Sequence, residues 1–234
     1  PGMARRAAES LRLAGRRPAL ACGEGLFVGG RRLASGDCAR REPAHRLLMN
    51  RYVEAAVIEN DGLTIVSEGL AYDRCQVGVV TGIDPNATIP QFDIAGAEQM
   101  YTLLRTQVDV VLPEGVAVPD AADPLVAKMA TLCDGEVVFY ETGAGGQVVE
   151  AHLAAGRRAV VVRGGRIVLA TGERGLPVAE LSRLAVGETT GHRLDDLLAA
   201  IAAAWALDIN PDLIRTGVET LCAVHSEANE TVVA

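Results

Sequence analysis

Glu59 closes an apolar, β-prone run, EAAVIE at 54–59. A carboxylate at the carboxyl end of such a strand is placed to hold Mg²⁺, and a solvated strand end is the plainer reading. Asp123 stands directly before Pro124 and a helical stretch, where a short acid caps a helix. Glu68, Asp73 and Arg74 lie in a loop before a strand and read as an ion pair or cap rather than ligand contacts. The four histidines, His45, His152, His192 and His225, fall in unrelated segments and suggest no metal triad. Cysteines at 22, 38, 75, 133 and 222 are odd in number and widely spaced, with no C-x-x-C pair. Reduced thiols fit that pattern better than a disulfide or zinc framework. Lys128 is the only lysine; it sits in VAKMAT, a helical context without glycine, and reads as a solvated helix face. No G-x-x-x-x-G-K-[ST] occurs, so the chain has no phosphate-cradling loop of that kind.

The elements that must position these groups alternate in type. Helices are expected over 3–15, closed by Gly15, and over 44–50, 97–107, 124–133, 147–156, 195–209 and 211–222. Strands are expected over 18–22, 54–59, 77–83, 108–113, 115–120 and 135–141, and as two hairpins turning on Gly29-Gly30 and Gly164-Gly165. The runs at 54–59 and 77–83 read as strands buried on both faces, as in a parallel sheet. This order predicts an α/β fold: a mainly parallel sheet flanked by helices, with a small antiparallel hairpin extension near 22–38.

The chain has 234 residues and is 49% hydrophobic, enough for a sizeable core in a single domain spanning 1–234. Only 3% are aromatic, so Ala, Val, Leu and Ile must build that core. A net charge of −8 argues against general nucleic-acid or membrane-surface binding. No apolar run approaches a bilayer span, and Arg5, Arg6, Glu9 and Arg12 interrupt the first apolar stretch, which excludes a secretory signal there. A cytoplasmic location is the expectation. Pro1-Gly2 ahead of Met3 reads as an addition before a native start.

Several stretches resemble cyanophycin synthetase, an ATP-dependent ligase with a Mur-ligase-type central domain. They are LLMNRYVEAAVIEN (47–60), SEGLAYDRCQVGVVTGIDP (67–85), LLRTQVDVVLPEGVAV (103–118), MATLCDGEVVFY (129–140), RAVVVRGGRIVLATG (158–172) and LLAAIAAAWALDI (197–209), with GEGLFVGGRRLASGDC (23–38) like the family's hairpin. The resemblance implies a Mur-ligase central-domain fold and acyl-phosphate chemistry with ATP and Mg²⁺.

Residue by residue, the resemblance carries over in part. Glu59 takes the place of the family's metal-associated Glu, but ATIPQFD (87–93) supplies no following His. In VPDAADP (118–124), Asp123 and Pro124 fit the family's pattern, while Asp120 replaces an Asn and Ala122 an Asp. Asp196 stands where the family has an adenine-contacting Asn; a carboxylate accepts but does not donate. His192 is a further nucleotide contact by position.

The family's phosphate loop would precede a helix like 3–15, and its lid domain would follow the last helix. Neither is expected here, nor is the strand before the loop. The expectation is therefore a cyanophycin synthetase-like protein that is incomplete or inactive alone, the alternative being a non-catalytic binding or assembly module. An unfilled place in the sheet suggests a homo-oligomer or a complementary ligase chain as partner, with the tail TVVA (231–234) a possible filler.

Overall fold

Two strand edges, at 55–58 and 75–80, face each other without pairing among the described residues. The computed structural model describes residues 2–143, 145–184 and 193–230, with 221–230 as helix backbone only. The tail 231–234 and His192 lie outside the described residues.

The first part comprises helix α1 (Gly2–Leu13), strands β1 (Pro18–Cys22), β2 (Gly25–Val28) and β3 (Arg31–Ser35), helix α2 (Arg41–Leu48) and strand β4 (Ala55–Ile58). The sheet order is β3-β2-β1-β4. β1 pairs antiparallel with β2 and parallel with β4. The β2–β3 turn is made by Gly29 and Gly30 at φ 58° and 84°, a left-handed pair that only glycine adopts without strain.

The second part continues with α3 (Gly62–Glu68), β5 (Cys75–Val80), a two-stranded ribbon β6 (Thr88–Ile89) and β7 (Ile94–Ala95), α4 (Ala97–Leu104), α5 (Thr106–Asp109), β8 (Val111–Pro119), α6 (Pro124–Lys128), β9 (Glu136–Glu141), α7 (Gln147–Ala154), β10 (Arg158–Arg163), β11 (Arg166–Thr171), β12 (Arg174–Glu180), α8 (Leu194–Ala206) and α9 (Pro211–Glu230). Its sheet runs β12-β11-β10-β9-β8-β5. β5, β8, β9 and β10 are parallel; β11 and β12 add an antiparallel edge. The expected α/β fold, mainly parallel with a small antiparallel extension, is what forms.

Core layers cover both faces of the larger sheet. On one face Val116, Val118, Val138, Val160 and Ile167 pack beneath α8, whose Leu197, Leu198, Ala199, Ile201, Ala202 and Ala204 are all buried. On the other, Ala117, Phe139, Ala159 and Val161 meet α6 and α7 through Val126, Val149 and Leu153. Asp195 and Asp196 in the first turn of α8 suit the positive end of its dipole. At the far end of α8, the Arg158 guanidinium stacks over the Trp205 ring at 4.9 Å and grips Glu136 at 2.6 and 2.7 Å.

Three sequence expectations are corrected. Residues 54–59 and 77–83 are not doubly buried strands: β4 is half-buried throughout and β5 has only Gly78 and Val80 buried. The reason is the break in the sheet, since among the described strands each has a neighbour on one side only. Residues 108–110 end a short helix, and 111–119 form one strand instead of two. Gly115 permits it, because a Cβ there would meet the Gln76 carbonyl at 2.6 Å. β12 was not foreseen; its Gly175 and Pro177 disguise it, and it lies at an edge where proline is tolerated.

Ala202 is fully buried where α8 meets the sheet. Ala202→Leu is expected to overpack that layer and cost about 1–3 kcal/mol of stability, read as a lower urea midpoint with little change in slope.

Candidate functional site

The break between β4 and β5 opens into a cavity of about 640 Å³. Its walls are Ala55–Glu59 on one side and Cys75–Gly82 on the other. Met3, Ala4, Ala7 and Leu11 of α1 with Ala203 and Leu207 near the end of α8 cover one face; Met100, Leu104 and Gln107 cover the opposite one. One polar bridge crosses beside it. Asn60 Nδ2 donates to the Tyr72 hydroxyl at 3.1 Å and to Gln107 Oε1 at 3.3 Å. Burial raises the Tyr72 phenol to about 12, so it stays protonated.

The structure brings two of the sequence candidates together: Glu59 and Asp196 both line this cavity. Glu59 Oε2 accepts the Gly23 N–H at 3.0 Å, and its own N–H donates to the Ala21 carbonyl at 2.9 Å. It therefore ties β4 to the β1–β2 turn. Asp196 abuts the start of α1, where a Cβ on Gly2 would stand 2.5 Å from Asp196 Oδ2. Asp123 is elsewhere and engaged as a cap. Its Oδ1 accepts from the N–H of Leu125 and Val126, and its Oδ2 accepts from Ile83 N–H at 2.8 Å. His192 lies outside the described residues. Lys128 is exposed at the end of α6, with Nζ 5.3 Å from the Tyr101 ring centre.

Glu68 ends helix α3 instead of lying in a loop, and Asp73 and Arg74 do not form the expected pair. Arg74 Nη1 reaches the Asp109 carbonyl at 3.4 Å, and Glu68 accepts from Arg40 Nη1 and the Arg41 N–H. The described cysteines are free thiols, with Cys22 and Cys38 buried.

Sequence reasoning missed a polar knot at the carboxyl ends of β8 and β9. Asp120 follows β8, and its carboxyl is raised to about 6, first by burial, with Asp195, Asp123 and Glu141 adding repulsion against the lowering Ala122 N–H. Tyr140 in β9 is fully buried, and its hydroxyl has no hydrogen-bond partner among the described residues. Burial, then the charges of Asp120, Asp195 and Asp196, pushes its pKa up. The glycine-rich turn after β9 is a second missed feature. Gly146 N–H at the start of α7 points at a carboxylate of the chain itself, Glu141 Oε2, at 2.8 Å, so that donor is already used. The signal for both was present in the sequence as polar residues just past apolar strands, the usual place for sites in parallel sheets.

Glu54, Glu59, Asp61, Asp84 and Asp196 line the cavity, and Arg74 is its only basic side chain among the described residues. No group of three or more His, Cys, Asp or Glu side chains among the described residues has the geometry to hold a metal ion. No helix among the described residues is long and apolar enough to cross a membrane.

No protein-family model matches the chain. It is 30% identical over 210 residues to a cyanophycin synthetase of Crocosphaera subtropica, covering 89% of this chain and 24% of that one. A cyanophycin synthetase of Synechocystis sp. is 30% identical over 199 residues, 84% of this chain and 23% of that one. The chain thus spans about a quarter of the length of the curated relatives it matches. Among solved structures, a UDP-N-acetylmuramoyl-L-alanyl-D-glutamate–2,6-diaminopimelate ligase superposes with a TM-score of 0.67 at 14% identity, over 94% of this chain and 44% of that one. E. coli FolC, in complex with DHPP and ADP, superposes with a TM-score of 0.55 at 14% identity, over 94% of this chain and 55% of that one. These structures share the fold, and the chain is similar in sequence to a segment of cyanophycin synthetases.

Two outcomes follow from the geometry. Asp123→Ala removes three accepted N–H bonds and is expected to cost about 1–2 kcal/mol in chemical denaturation, the range of a lost helix cap. For Asp120, a folded pKa above the ordinary carboxyl value means the folded state binds the proton more tightly. Stability should therefore fall as pH rises from about 4 to about 6, and the penalty should persist above it. Asp120→Asn should raise the melting temperature relative to the parent at pH 7.5 and bring no such gain near pH 3.5.

Proposed function

We propose that this chain is the sheet-and-helix framework of an ATP-dependent amide ligase of the cyanophycin synthetase kind, and that it does not catalyse ligation alone. One pair of facts carries the reading. Similarity to cyanophycin synthetases extends over 84–89% of the chain, yet its 234 residues contain no G-x-x-x-x-G-K-[ST] and a single, exposed lysine. In that class of ligase, a carboxylate oxygen takes the γ-phosphoryl group and ADP leaves. An amine nitrogen then attacks the acyl carbon, phosphate departs with the bonding pair, and the nitrogen loses a proton. Such chemistry depends on cationic and N–H groups cradling the phosphates.

The residues present do not fit ATP and Mg²⁺ well. Glu59 is the metal candidate, but one carboxylate oxygen already accepts the Gly23 N–H. Asp196 holds the adenine-facing place with a group that cannot donate. Asp123 is occupied as a cap. Repulsion between the acidic lining and a triphosphate adds to the loss. No catalytic residue is therefore assigned. The reading places the protein in the cytoplasm and takes as partners further copies of itself or a complementary ligase chain that brings a phosphate-binding loop.

The test is turnover and binding by the chain alone. Supplied with ATP, Mg²⁺, Asp, Arg and a cyanophycin primer, it should release neither ADP nor phosphate above the buffer rate. Isothermal titration should show no ATP binding in the low micromolar range. Turnover that Glu59→Gln abolishes would overturn the reading.

A further inference from the structure

Charge is divided unevenly along this chain. Residues 1–53 hold eleven arginines against four acids, whereas 54–234 hold eleven basic residues against twenty-six acids. A protein of net charge −8 thus carries a cationic part, built from α1, β1–β3 and α2. Within it, arginines gather on the hairpin. Arg5 from α1 and Arg32 from β3 both stand over the Phe27 ring of β2, at 5.0 and 5.8 Å. Arg12, two helical turns beyond Arg5, reaches the β2–β3 turn, where a Cβ on Gly30 would stand 3.9 Å from its Cδ. Arg31 opens β3 beside that turn. Two acids answer two of these cations: Glu9 accepts from Arg12 Nε at 2.9 Å, and Glu24 pairs with Arg5 at 3.0 Å.

β3 is the end strand of the order β3-β2-β1-β4, and among the described strands it pairs with β2 alone. All five of its residues, Arg31–Ser35, are exposed. Its register shifts between Arg32 and Ala34, which leaves Leu33 as the extra residue of a bulge, 56% exposed. Arginine and a bulge keep a like edge away, because two such strands would set cation against cation. Neither device excludes a strand of opposite charge. Arginine also pairs a carboxylate through two parallel N–H bonds, a geometry that lysine lacks. The outer N–H and C=O groups of β3 offer a ladder that a peptide matches and a nucleic acid does not. Leu33, set among the arginines, adds an apolar contact that suits a side chain rather than a phosphate.

We propose that the outer edge of β3 is a docking site for an extended acidic peptide segment. Its backbone adds to the strand edge, its carboxylates meet Arg31 and Arg32, and an apolar side chain covers Leu33. Arg5, Arg12 and Arg16 strengthen the positive field from behind and draw the segment in. Covering β3 takes about five residues at about 3.3 Å each. The inference rests on α1 and β1–β3, and holds whether or not the ligase reading does.

A fluorescein-labelled, amidated peptide Gly-Asp-Val-Asp-Val-Asp-Gly tests it, with anisotropy for binding and hydrogen exchange for location. Saturable binding is expected, with slowed exchange at the amides of Arg31–Ser35, and it should weaken as salt rises from about 50 mM to about 300 mM. The same peptide N-methylated at alternate residues keeps its charge and loses ladder donors, and should bind about tenfold or more weakly. Arg31→Ser should weaken binding about two- to fivefold with the melting temperature unchanged, the range of one exposed ion pair. A peptide with lysine in place of each aspartate should not bind. Absence of binding by the acidic peptide would overturn the proposal, as would unchanged exchange at β3. Equal affinity of the N-methylated peptide would reduce the contact to charge attraction and overturn it too. Equal affinity of a single-stranded oligothymidylate of the same charge would make the surface a phosphate binder instead.

Discussion

Helix packing, rather than strand pairing among the described residues, joins the two sheets of this protein. α1 lies over β1 and β4, α8 lies over β5, β8, β9 and β10, and the two helices pack side by side across the break. Their small residues make this possible: Ala4 and Ala7 in α1, and Ala199, Ala200, Ala202, Ala203 and Ala204 in α8, are buried. Alanine lets helix backbones and sheet approach closely at no side-chain entropy cost. Every property of the central cavity, including its width and the distance between the β4 and β5 edges, depends on that contact. Arg158, held by Glu136 and stacked on Trp205, anchors the far end of α8 so that the helix does not slide along the sheet.

A consequence of this construction is that the weakest part of the fold lies at its centre. Among the described strands, β8, β9, β10 and β11 each have neighbours on both sides, whereas β4 and β5 have one. Strands with fewer buried contacts and exposed ladder groups open at lower free energy than the strands around them. Asn60, bonded to Tyr72 and Gln107, bridges one end of the gap and leaves its length open.

Negative charge gathers at one end of the larger sheet. The carboxyl ends of the parallel strands gather Asp120, Asp123, Glu141, Asp195 and Asp196, with Arg193 as a partner for Asp195. Burial, and then the neighbouring carboxylates, raises the pKa of Asp120. Two of them serve the fold itself: Asp123 caps α6 and Glu141 takes the Gly146 N–H. What looks in outline like ligand chemistry is in part the chain satisfying its own backbone.

Local patterns were sufficient for the type of the longer elements, while α3, β6, β7 and β12 went unread. The Gly-Gly turns, the apolar runs at 18–22, 135–141 and 158–172, and the alanine-rich run before Asp208 read directly as hairpins, strands and a helix, because backbone propensity and periodicity act over a few residues. The Mur-ligase-type fold and the kinship with cyanophycin synthetase were legible for the same reason: long stretches keep their order and spacing. The fate of individual acids was not legible. Glu59, Asp123 and Asp196 looked alike as carboxylates at element ends, and only the folded chain set Glu59 and Asp196 on one cavity and turned Asp123 onto three backbone N–H groups. Nor could periodicity tell that β4 and β5 stay apart, since a run such as AAVI looks the same whether its second neighbour is present or missing. Pairing joins residues far apart in sequence, so only the tertiary structure decided it.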